Sequence, residues 1–521
     1  MTGFDRVSPT DLIGLCVLAS NLLGSDPAIV LHGGGNTSVK QVVDVDGSPT
    51  EIVHVKSSGH DLATIGPRGF APVRRDALLE LVARDTLDDR DMAAAFRAAS
   101  IDPDSATASI EAIPHALLPH RFVLHSHADA VVTLTDSPLT DAELSDVFGE
   151  SVAILPYVRP GFDLAKVVAK TLKGTPPAAQ LRGLVLRNHG LFTFDDDAER
   201  AYADHLALIE RAHSRIRQAR LSQPRKPAGI RLAPLTDADL DEYSGFRQAL
   251  CETAGFAVLV RRDSDNLVEE FLSQDYLRRA TEHGTATMEH VIHIKPFPLV
   301  GTDVRAYADR YRERFARLTD GTLRPLDLAP RIVLDSRWGL LSVGRTQAEV
   351  RRVRDIYRHT MAVIMDSESL GGFRSLTERE LFDIEYWELE QAKLLSTKSF
   401  PPLTGMVAVL DGPGGHHDQA WLTLAVGDGL AKLGAVIVLT GSERSAVAQY
   451  GGVDMVVSIG REPSRSRARP IGVRADGSHI TVTAGIQSRV VATGALLDGD
   501  DLDPLCAALQ RAAGLPCPQP G

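Results

Sequence analysis

The sequence has few cysteines and no excess of positive charge, and each feature argues against a class of protein. Its four cysteines are widely spaced and form no Cys–x–x–Cys pair, which argues against a cysteine-ligated metal and indicates a reducing compartment. The formal net charge is −12. A nucleic acid is therefore not expected as the main partner, because neutralising its phosphates requires clustered Lys and Arg.

Long apolar runs are also missing. No segment approaches the roughly 20 apolar residues of a membrane-spanning helix. The apolar stretch near the N-terminus has no basic region before it and is interrupted by Asp5, Asp11 and Asp26, which predicts an amphipathic helix and not a signal peptide. We expect a cytoplasmic protein with no membrane partner.

At 521 residues the chain is long for one hydrophobic core, and its patterns predict three α/β domains. Residues 1–222 mix short apolar runs with helical patterns, and a polar, proline-bearing segment follows them. Residues 235–398 form a second α/β domain. Residues 402–515 begin as strand, glycine turn, helix and strand, the start of a nucleotide-binding type of fold.

Two segments share one order of features. Residues 188–212 and 337–364 each predict a strand end, a glycine, an apolar strand and an acid-capped helix, and Trp338 stands where the first segment has His189. The second domain is therefore a degenerate duplicate of the first, or the similar order of strands and helices is a coincidence.

Three histidines from two segments form the candidate metal site. His125 and His127 follow a predicted strand, and side chains two apart on a strand share a face. His189 ends the apolar run GLVLR, at a strand end where sites are commonly built. Taken singly, each is more often a surface or turn histidine; together they match a catalytic zinc site with an open position.

Glu111 is the candidate acid/base. It lies on a short predicted helix with His115 one turn later. A carboxylate beside a metal-bound substrate can take a proton from carbon and return one to oxygen. In isolation, a solvated helix glutamate is the ordinary interpretation. We interpret His115 and His120 as structural, with His115 as a spare ligand.

Two polar loops are candidates for an anion cradle. LHGGGNTSVK places three glycines before Asn36, Thr37 and Ser38, and glycines let successive backbone N–H groups approach a ligand. VKSSGHDL offers Ser57, Ser58 and Gly59 as donors. Each loop alone could be only a tight turn.

Together these segments resemble the class II aldolase/adducin superfamily, because GGGNTS, KSSG, SIE, HSHADAV and NHGL occur in the family's order. The chain also resembles the bifunctional rhamnulose-1-phosphate aldolase/alcohol dehydrogenase proteins through VRPGF (158–162) and IEYWELEQAKL (384–394). The resemblance covers roughly residues 10–400. It implies an α/β fold with a central, mostly antiparallel sheet flanked by helices in the first domain, followed by a second α/β domain.

The resemblance also implies a divalent-metal lyase, usually with zinc, that forms tetramers in its simpler relatives. Matching the motifs makes His125, His127 and His189 the metal ligands and Glu111 the acid/base. The residues that would face the phosphate of a small sugar are Asn36, Ser58, Gly59 and Ser109, with Thr37 beside them.

Two departures concern the phosphate end. Ile110 stands where the simpler fuculose-phosphate relatives carry a second serine, and Thr107–Ala108 stands where Arg–Pro is expected. A tyrosine that helps to protonate the leaving aldehyde in relatives has no identified counterpart.

Residues 402–515 resemble the start of a short-chain dehydrogenase, which implies a reduced Rossmann-like domain. Asp411 replaces the threonine of the TGxxxGxG turn, and bulky or acidic residues at 416–418 oppose the approach of a pyrophosphate. No tyrosine follows Tyr450 and no lysine follows Lys432, so the Tyr–x3–Lys pair of that family is missing. We expect no oxidoreductase activity, no bound NAD, and a structural or oligomerising role.

The expected function is the reversible, metal-dependent aldol cleavage of a ketose 1-phosphate, such as rhamnulose 1-phosphate, to dihydroxyacetone phosphate and a lactaldehyde-like aldehyde. Two alternatives stay open. The same metal–enediolate core could serve a sugar-phosphate epimerase, dehydratase or decarboxylase, or the fold could be an adducin-like binding module without chemistry. We expect a homo-oligomer that binds Zn²⁺ or another divalent metal.

Overall fold

The computed structural model describes residues 3–174, 180–388, 391, 400–411, 420–439, 442–459, 469–476, 479–484, 487–492 and 503–512. The chain divides into two compact units. Unit one comprises Met1–Lys226, Tyr276–Phe297 and Arg358–Ser396, and unit two comprises Pro227–Asp275, Pro298–Tyr357 and Thr397–Gly521. The predicted middle domain, residues 235–398, therefore contributes segments to both units.

The described helices, in chain order, are α1 (Leu12–Gly24), α2 (Arg75–Leu81), α3 (Asp89–Ala99), α4 (Ala112–Leu117), α5 (Asp129–Thr135), α6 (Asp141–Phe148), α7 (Phe162–Thr171), α8 (Ala198–Ser222), α9 (Asp237–Ala254), α10 (Asn266–Leu272), α11 (Leu277–Thr281), α12 (His290–Ile294), α13 (Val304–Leu318), α14 (Gln347–Ser369), α15 (Glu378–Glu385), α16 (Ala420–Lys432), α17 (Glu443–Tyr450) and α18 (Asp503–Ala512). None of them is both long and apolar enough to cross a lipid bilayer.

The described strands are β1 (Asn36–Val45), β2 (Ser48–Lys56), β3 (Phe70–Arg74), β4 (Phe122–Ser126), β5 (Val152–Leu155), β6 (Gly183–Leu186), β7 (Gly190–Asp195), β8 (Leu259–Asp263), β9 (Leu299–Val300), β10 (Ile332–Asp335), β11 (Gly339–Gly344), β12 (Val407–Asp411), β13 (Val436–Leu439), β14 (Met455–Ile459), β15 (Arg469–Asp476), β16 (His479–Ala484) and β17 (Gln487–Ala492).

Unit one is built on a seven-stranded sheet with the order β3-β2-β1-β4-β7-β6-β5. All neighbouring strands in it are antiparallel except β5 and β6. Apolar side chains cover both of its faces, since Phe122 and Leu124 of β4 pack with α1, α5 and α8, whereas Val123 packs with α7. The predicted mostly antiparallel sheet flanked by helices is confirmed.

The register between β1 and β4 decides which side chains reach the site. Asn36 lies opposite His125, and Thr37 lies opposite Leu124. Because side chains alternate between faces along a strand, Asn36 shares a face with His125, while Thr37 lies on the opposite face with Leu124.

Unit two contains two further sheets. One has the order β8-β11-β10-β9, and the other has the order β13-β12-β14-β15-β16-β17. In the second sheet, the pairs from β13 to β15 are parallel and the pairs from β15 to β17 are antiparallel. The predicted strand, helix and strand after residue 402 are confirmed, whereas the predicted glycine turn at 412–419 lies outside the described residues.

Candidate active site

Three imidazoles converge at one end of the unit-one sheet, as the sequence predicts. His125 lies in β4, His127 follows β4 directly, and His189 lies in the tight turn between β6 and β7. Their ring centroids are 4.9 Å apart in all three pairs. Each ring offers one nitrogen within 4.8 Å of the nitrogens of the other two, so the group could hold a metal ion.

The backbone brings His189 to the pair through a close approach of β7 to β4. Leu191 lies opposite Ser126 in antiparallel register, and the turn before it requires a left-handed residue, Asn188, at φ 53°. A Cβ on Gly190 would overlap the carbonyl oxygen of Ser126. Only glycine lets the two strands approach so closely here.

Burial favours the neutral form of two of the rings, those of His125 and His189. His125 Nδ1 lies 3.0 Å from the carbonyl oxygen of Leu191, so Nδ1 carries the proton and Nε2 keeps a lone pair. Burial lowers the pKa of His125 well below its usual value and lowers that of His189 to about 3. The neutral form is the one that binds a metal.

Glu111 lies against the histidine group. Its two carboxylate oxygens lie 3.5 Å from His125 Nε2 and 3.5 Å from His189 Nε2. Glu111 is only 4% exposed, and burial raises the pKa of its carboxyl group to about 7. Glu111 precedes α4 directly instead of lying inside a helix as predicted, and this position directs its side chain towards the strand ends.

Several polar atoms at this place have no hydrogen-bond partner within the described part of the chain. They are both ring nitrogens of His189 and one carboxylate oxygen of Glu111, and all of them are buried. Buried polar atoms normally have a hydrogen-bond partner. Beside these atoms, His125 Nε2 lies 3.1 Å from His127 Nε2. Three imidazole nitrogens with a carboxylate beside them fit a divalent cation such as zinc, which would take one ring nitrogen of each histidine, that of His189 included.

A buried chain of hydrogen bonds holds Glu111 from the other side. Asn36 Nδ2 donates to Glu111 across 2.5 Å, and Asn36 Oδ1 lies 2.5 Å from His115 Nε2. His115 Nδ1 in turn lies 2.7 Å from the hydroxyl of Ser38. Because an amide oxygen only accepts, His115 Nε2 carries the proton, and the Asn36 amide is fixed with its nitrogen towards Glu111. His115 thus orients Asn36 and lies outside the metal group.

The two predicted anion loops lie near one another. Ser58 N donates to the carbonyl of Thr107, Ser109 N donates to the carbonyl of Lys56, and Asn36 Nδ2 lies 3.4 Å from the hydroxyl of Ser109. Gly59 has φ +86° and open space where a side chain would project. Four of the five predicted phosphate residues, namely Asn36, Ser58, Gly59 and Ser109, are therefore neighbours, and their predicted contact with phosphate stays a prediction.

The fifth predicted phosphate residue lies elsewhere. The hydroxyl of Thr37 is fully buried against α1, where it lies 2.7 Å from the hydroxyl of Ser20. The alternation of β1 turns this side chain away from Asn36 and from the site. Its position gives the predicted role no support.

The glycine loop before β1 packs directly on the histidines. A Cβ on Gly34 would lie 3.3 Å from His127 Nδ1, and a Cβ on Gly35 would lie 2.7 Å from the carbonyl oxygen of His125. Lys56, itself buried, donates to the carbonyl of Gly33 across 2.9 Å. The glycines thus allow the loop to line the site with backbone.

Glu289 also contacts the site, although no sequence motif indicates it. Its carboxylate lies 3.3 Å from His127 Nδ1. Burial lowers the pKa of His127, but the charge of Glu289 and a hydrogen bond to it outweigh burial, so the pKa is raised overall. No motif spacing connects residue 289 to the HSH segment, and only the fold reveals the contact.

Comparison with known proteins agrees with this geometry. Residues 16–216 match the family described as the class II aldolase and adducin N-terminal domain. Residues 241–394 match the family described as aldolase class II, second domain. The chain therefore carries domains of the class II aldolase/adducin superfamily.

Individual relatives share parts of the chain. A Bacillus subtilis protein named as an uncharacterised oxidoreductase, YuxG, is 28% identical over 498 residues, which cover 85% of this chain and 71% of that protein. The N-terminal class II aldolase domain of a conserved Thermoplasma acidophilum protein is 40% identical, covering 39% of this chain and 93% of its own, with a TM-score of 0.37. An L-fuculose-1-phosphate aldolase from Thermus thermophilus is 20% identical, covering 42% of this chain and 98% of its own, with a TM-score of 0.28.

Proposed function

We propose that this protein catalyses the reversible aldol cleavage of a ketose 1-phosphate, such as rhamnulose 1-phosphate, to dihydroxyacetone phosphate and a lactaldehyde-like aldehyde. One observation carries the proposal, namely the convergence of His125, His127 and His189 with the carboxylate of Glu111 bridging two of the rings. The match of residues 16–216 and 241–394 to class II aldolase domains supports it.

The three histidines would hold the cation through Nε2. When bound there, a divalent ion supplies a Lewis acid that polarises the ketose carbonyl and stabilises the negative charge of the enediolate. We propose zinc, because three imidazole nitrogens with one open position are typical of catalytic zinc.

Glu111 would carry the proton at carbon. In cleavage, the carboxylate of Glu111 would take the proton of the C4 hydroxyl, whose oxygen becomes the aldehyde carbonyl as the bond between C3 and C4 breaks. The electron pair of that bond stays on C3, and the carboxyl of Glu111 returns the proton to C3 to give dihydroxyacetone phosphate. In synthesis, Glu111 would remove that proton from C3 and return it to the oxygen at C4. Asn36 holds the carboxylate in place, because its amide is itself fixed by His115.

The phosphate would bind where the two polar loops meet. Ser58, Gly59 and Ser109 border this region, and Lys56 supplies a nearby cationic group. Backbone N–H groups of glycine-rich loops form concave anion sites. This arrangement supports a small phosphorylated sugar as the substrate, despite Ile110 and Thr107–Ala108 at the positions where the simpler relatives differ.

A second class of reaction would use the same centre. An epimerase, dehydratase or decarboxylase also passes through an enediolate beside a metal and a carboxylate, so the geometry supports these reactions too. An adducin-like binding module is less well supported, because it has no need of three converging imidazoles beside a buried carboxylate.

For the C-terminal region we propose no dehydrogenase activity and a structural or oligomerising role. The printed sequence contains no Tyr–x3–Lys pair after residue 432. An NAD-linked activity on lactaldehyde would contradict this proposal.

The decisive experiment is a panel of ketose 1-phosphates, with release of dihydroxyacetone phosphate followed by a coupled assay. We expect release with at least one sugar and its loss in a chelator. The variant Glu111→Gln should lower kcat by about 10²–10⁴-fold, the usual contribution of a positioned acid/base. Glu150→Gln, an exposed glutamate of the same unit, is the control and should behave as wild type.

Two results would contradict the proposal. Release that survives Glu111→Gln unchanged would remove this residue from its role. Conversion of the panel sugars without dihydroxyacetone phosphate, seen as an epimer, a dehydrated product or carbon dioxide, would favour the second class of reaction.

A further inference from the structure

Glu289 lies in the part of the chain that matches the family of the second aldolase domain. Its side chain nevertheless contacts His127, which lies in the part that matches the N-terminal aldolase domain. It directly precedes α12, within the Tyr276–Phe297 segment of unit one. Its Oε2 lies 3.3 Å from His127 Nδ1, and the His127 side chain is only 8% exposed. A sequence segment far from the HSH motif thus supplies a charged group to one of its rings.

The geometry fixes which nitrogen of His127 points inward. A carboxylate only accepts a hydrogen bond, so the nitrogen facing Glu289, Nδ1, carries the proton. Nε2 then keeps its lone pair, and it is this atom that lies 3.1 Å from His125 Nε2. The ring is therefore held with its metal-binding nitrogen towards the centre.

Close packing around this contact leaves the ring little freedom. A Cβ on Gly34 would lie 3.3 Å from Glu289 Oε2 and 3.3 Å from His127 Nδ1, so the glycine loop closes directly over the pair. The other two rings are supported differently. His125 donates to the neutral carbonyl of Leu191, and the ring nitrogens of His189 make no hydrogen bond to any described residue.

We infer that Glu289 is a positioning residue of the metal centre, acting through His127. The inference rests on the metal-binding part of the proposed function. Outer carboxylates of this kind fix the tautomer and orientation of a ligating imidazole and raise its basicity, and their loss lowers metal affinity by about 10–100-fold.

The test is the binding of Co²⁺ to the metal-free full-length protein, followed by its visible absorption and by competition with a chromophoric chelator. We expect Glu289→Ala to weaken the affinity by about 10–100-fold. Glu289→Gln keeps an acceptor oxygen without the charge and should fall between Glu289→Ala and wild type. Glu150→Gln is the matched control for the loss of one negative charge, and thermal melting checks that each variant is folded.

A double-mutant cycle distinguishes action through His127 from a general structural role. In a His127→Ala background, Glu289→Ala should cause no further loss of Co²⁺ affinity, because the ring it orients is gone. Equal losses in the presence and absence of His127, or wild-type affinity in a folded Glu289→Ala protein, would overturn the inference. These measurements need no sugar, so failure of the inference is distinct from failure of the aldolase proposal, which the release assay measures.

Discussion

Two regions of this molecule share one local architecture and differ in chemistry. In unit one, β6, a tight turn, β7 and α8 follow one another. In unit two, β10, a tight turn, β11 and the first half of α14 do the same, and α14 continues into unit one from Arg358. Both hairpins are antiparallel, and in both the second strand also pairs with a third antiparallel strand, β4 or β8. His189 lies in the first turn and Trp338 in the second.

The glycines after these two residues show how closely the architectures agree. A Cβ on Gly190 would overlap the carbonyl oxygen of Ser126, and a Cβ on Gly339 would overlap that of Asp263. What differs is the third strand, because β4 carries His125 into the same cluster and β8 contains no histidine. The shared order is what a duplication would leave, and the duplication itself stays a prediction. The comparison teaches that the hairpin and helix alone do not make a site.

The largest effect should come from His189→Ala. Without one of three imidazoles the cation loses a ligand, and several kcal/mol of charge stabilisation are lost with it, which corresponds to a fall of about 10³-fold or more in kcat/KM. Metal content after dialysis and the release of dihydroxyacetone phosphate are the measurements. Full metal occupancy in the folded variant would contradict the assignment of His189 as a ligand.

The equivalent change in unit two, Trp338→Ala, should act on stability alone. Trp338 is 2% exposed and packs against Tyr243 and Phe246 at ring distances of 5.5 and 5.2 Å. Removing a buried aromatic side chain typically lowers the free energy of unfolding by about 3–5 kcal/mol. We expect a lower thermal transition for unit two together with unchanged metal content. A loss of bound metal would show that the second hairpin contributes to the centre after all.

Much of this comparison could be predicted from the sequence. The apolar run Phe122–Leu124 predicted the strand that leads into His125, and helical patterns predicted the helices α8 and α14, because buried segments leave a local pattern of apolar residues. The two faces of β1 could also be predicted, because the alternation of side chains along a strand separates Thr37 from Asn36 and Ser38. Grouping these residues by their shared motif hides that difference. The contact of Glu289 with His127 could not be predicted from the sequence. It depends on how a distant segment folds back onto the site, and no sequence spacing indicates that.

A smaller effect is expected from alanine at the two glycines. Gly190→Ala and Gly339→Ala each force a neighbouring strand apart, and overpacking of this kind costs about 1–3 kcal/mol of folding free energy. Gly339 also has φ +87°, which adds strain for alanine. Only Gly190→Ala should also weaken Co²⁺ binding, because the added methyl group would lie 3.2 Å from the His127 ring. Equal effects of both variants on metal binding would contradict this distinction.

The smallest effects should come from the caps of the two helices. Asp197 accepts a hydrogen bond from the backbone N–H of Arg200 across 2.9 Å at the start of α8, and Thr346 accepts one from the backbone N–H of Glu349 across 3.1 Å at the start of α14. Replacing either cap by alanine should lower stability by about 1 kcal/mol, because a helix N–H loses its acceptor. Asp197→Ser and Thr346→Ser keep an acceptor and should restore most of the stability. Both alanine variants should keep wild-type Co²⁺ affinity, since neither cap contacts one of the three histidine rings. A change in affinity with Asp197→Ala alone would mean that α8 positions the metal centre as well as supporting the sheet.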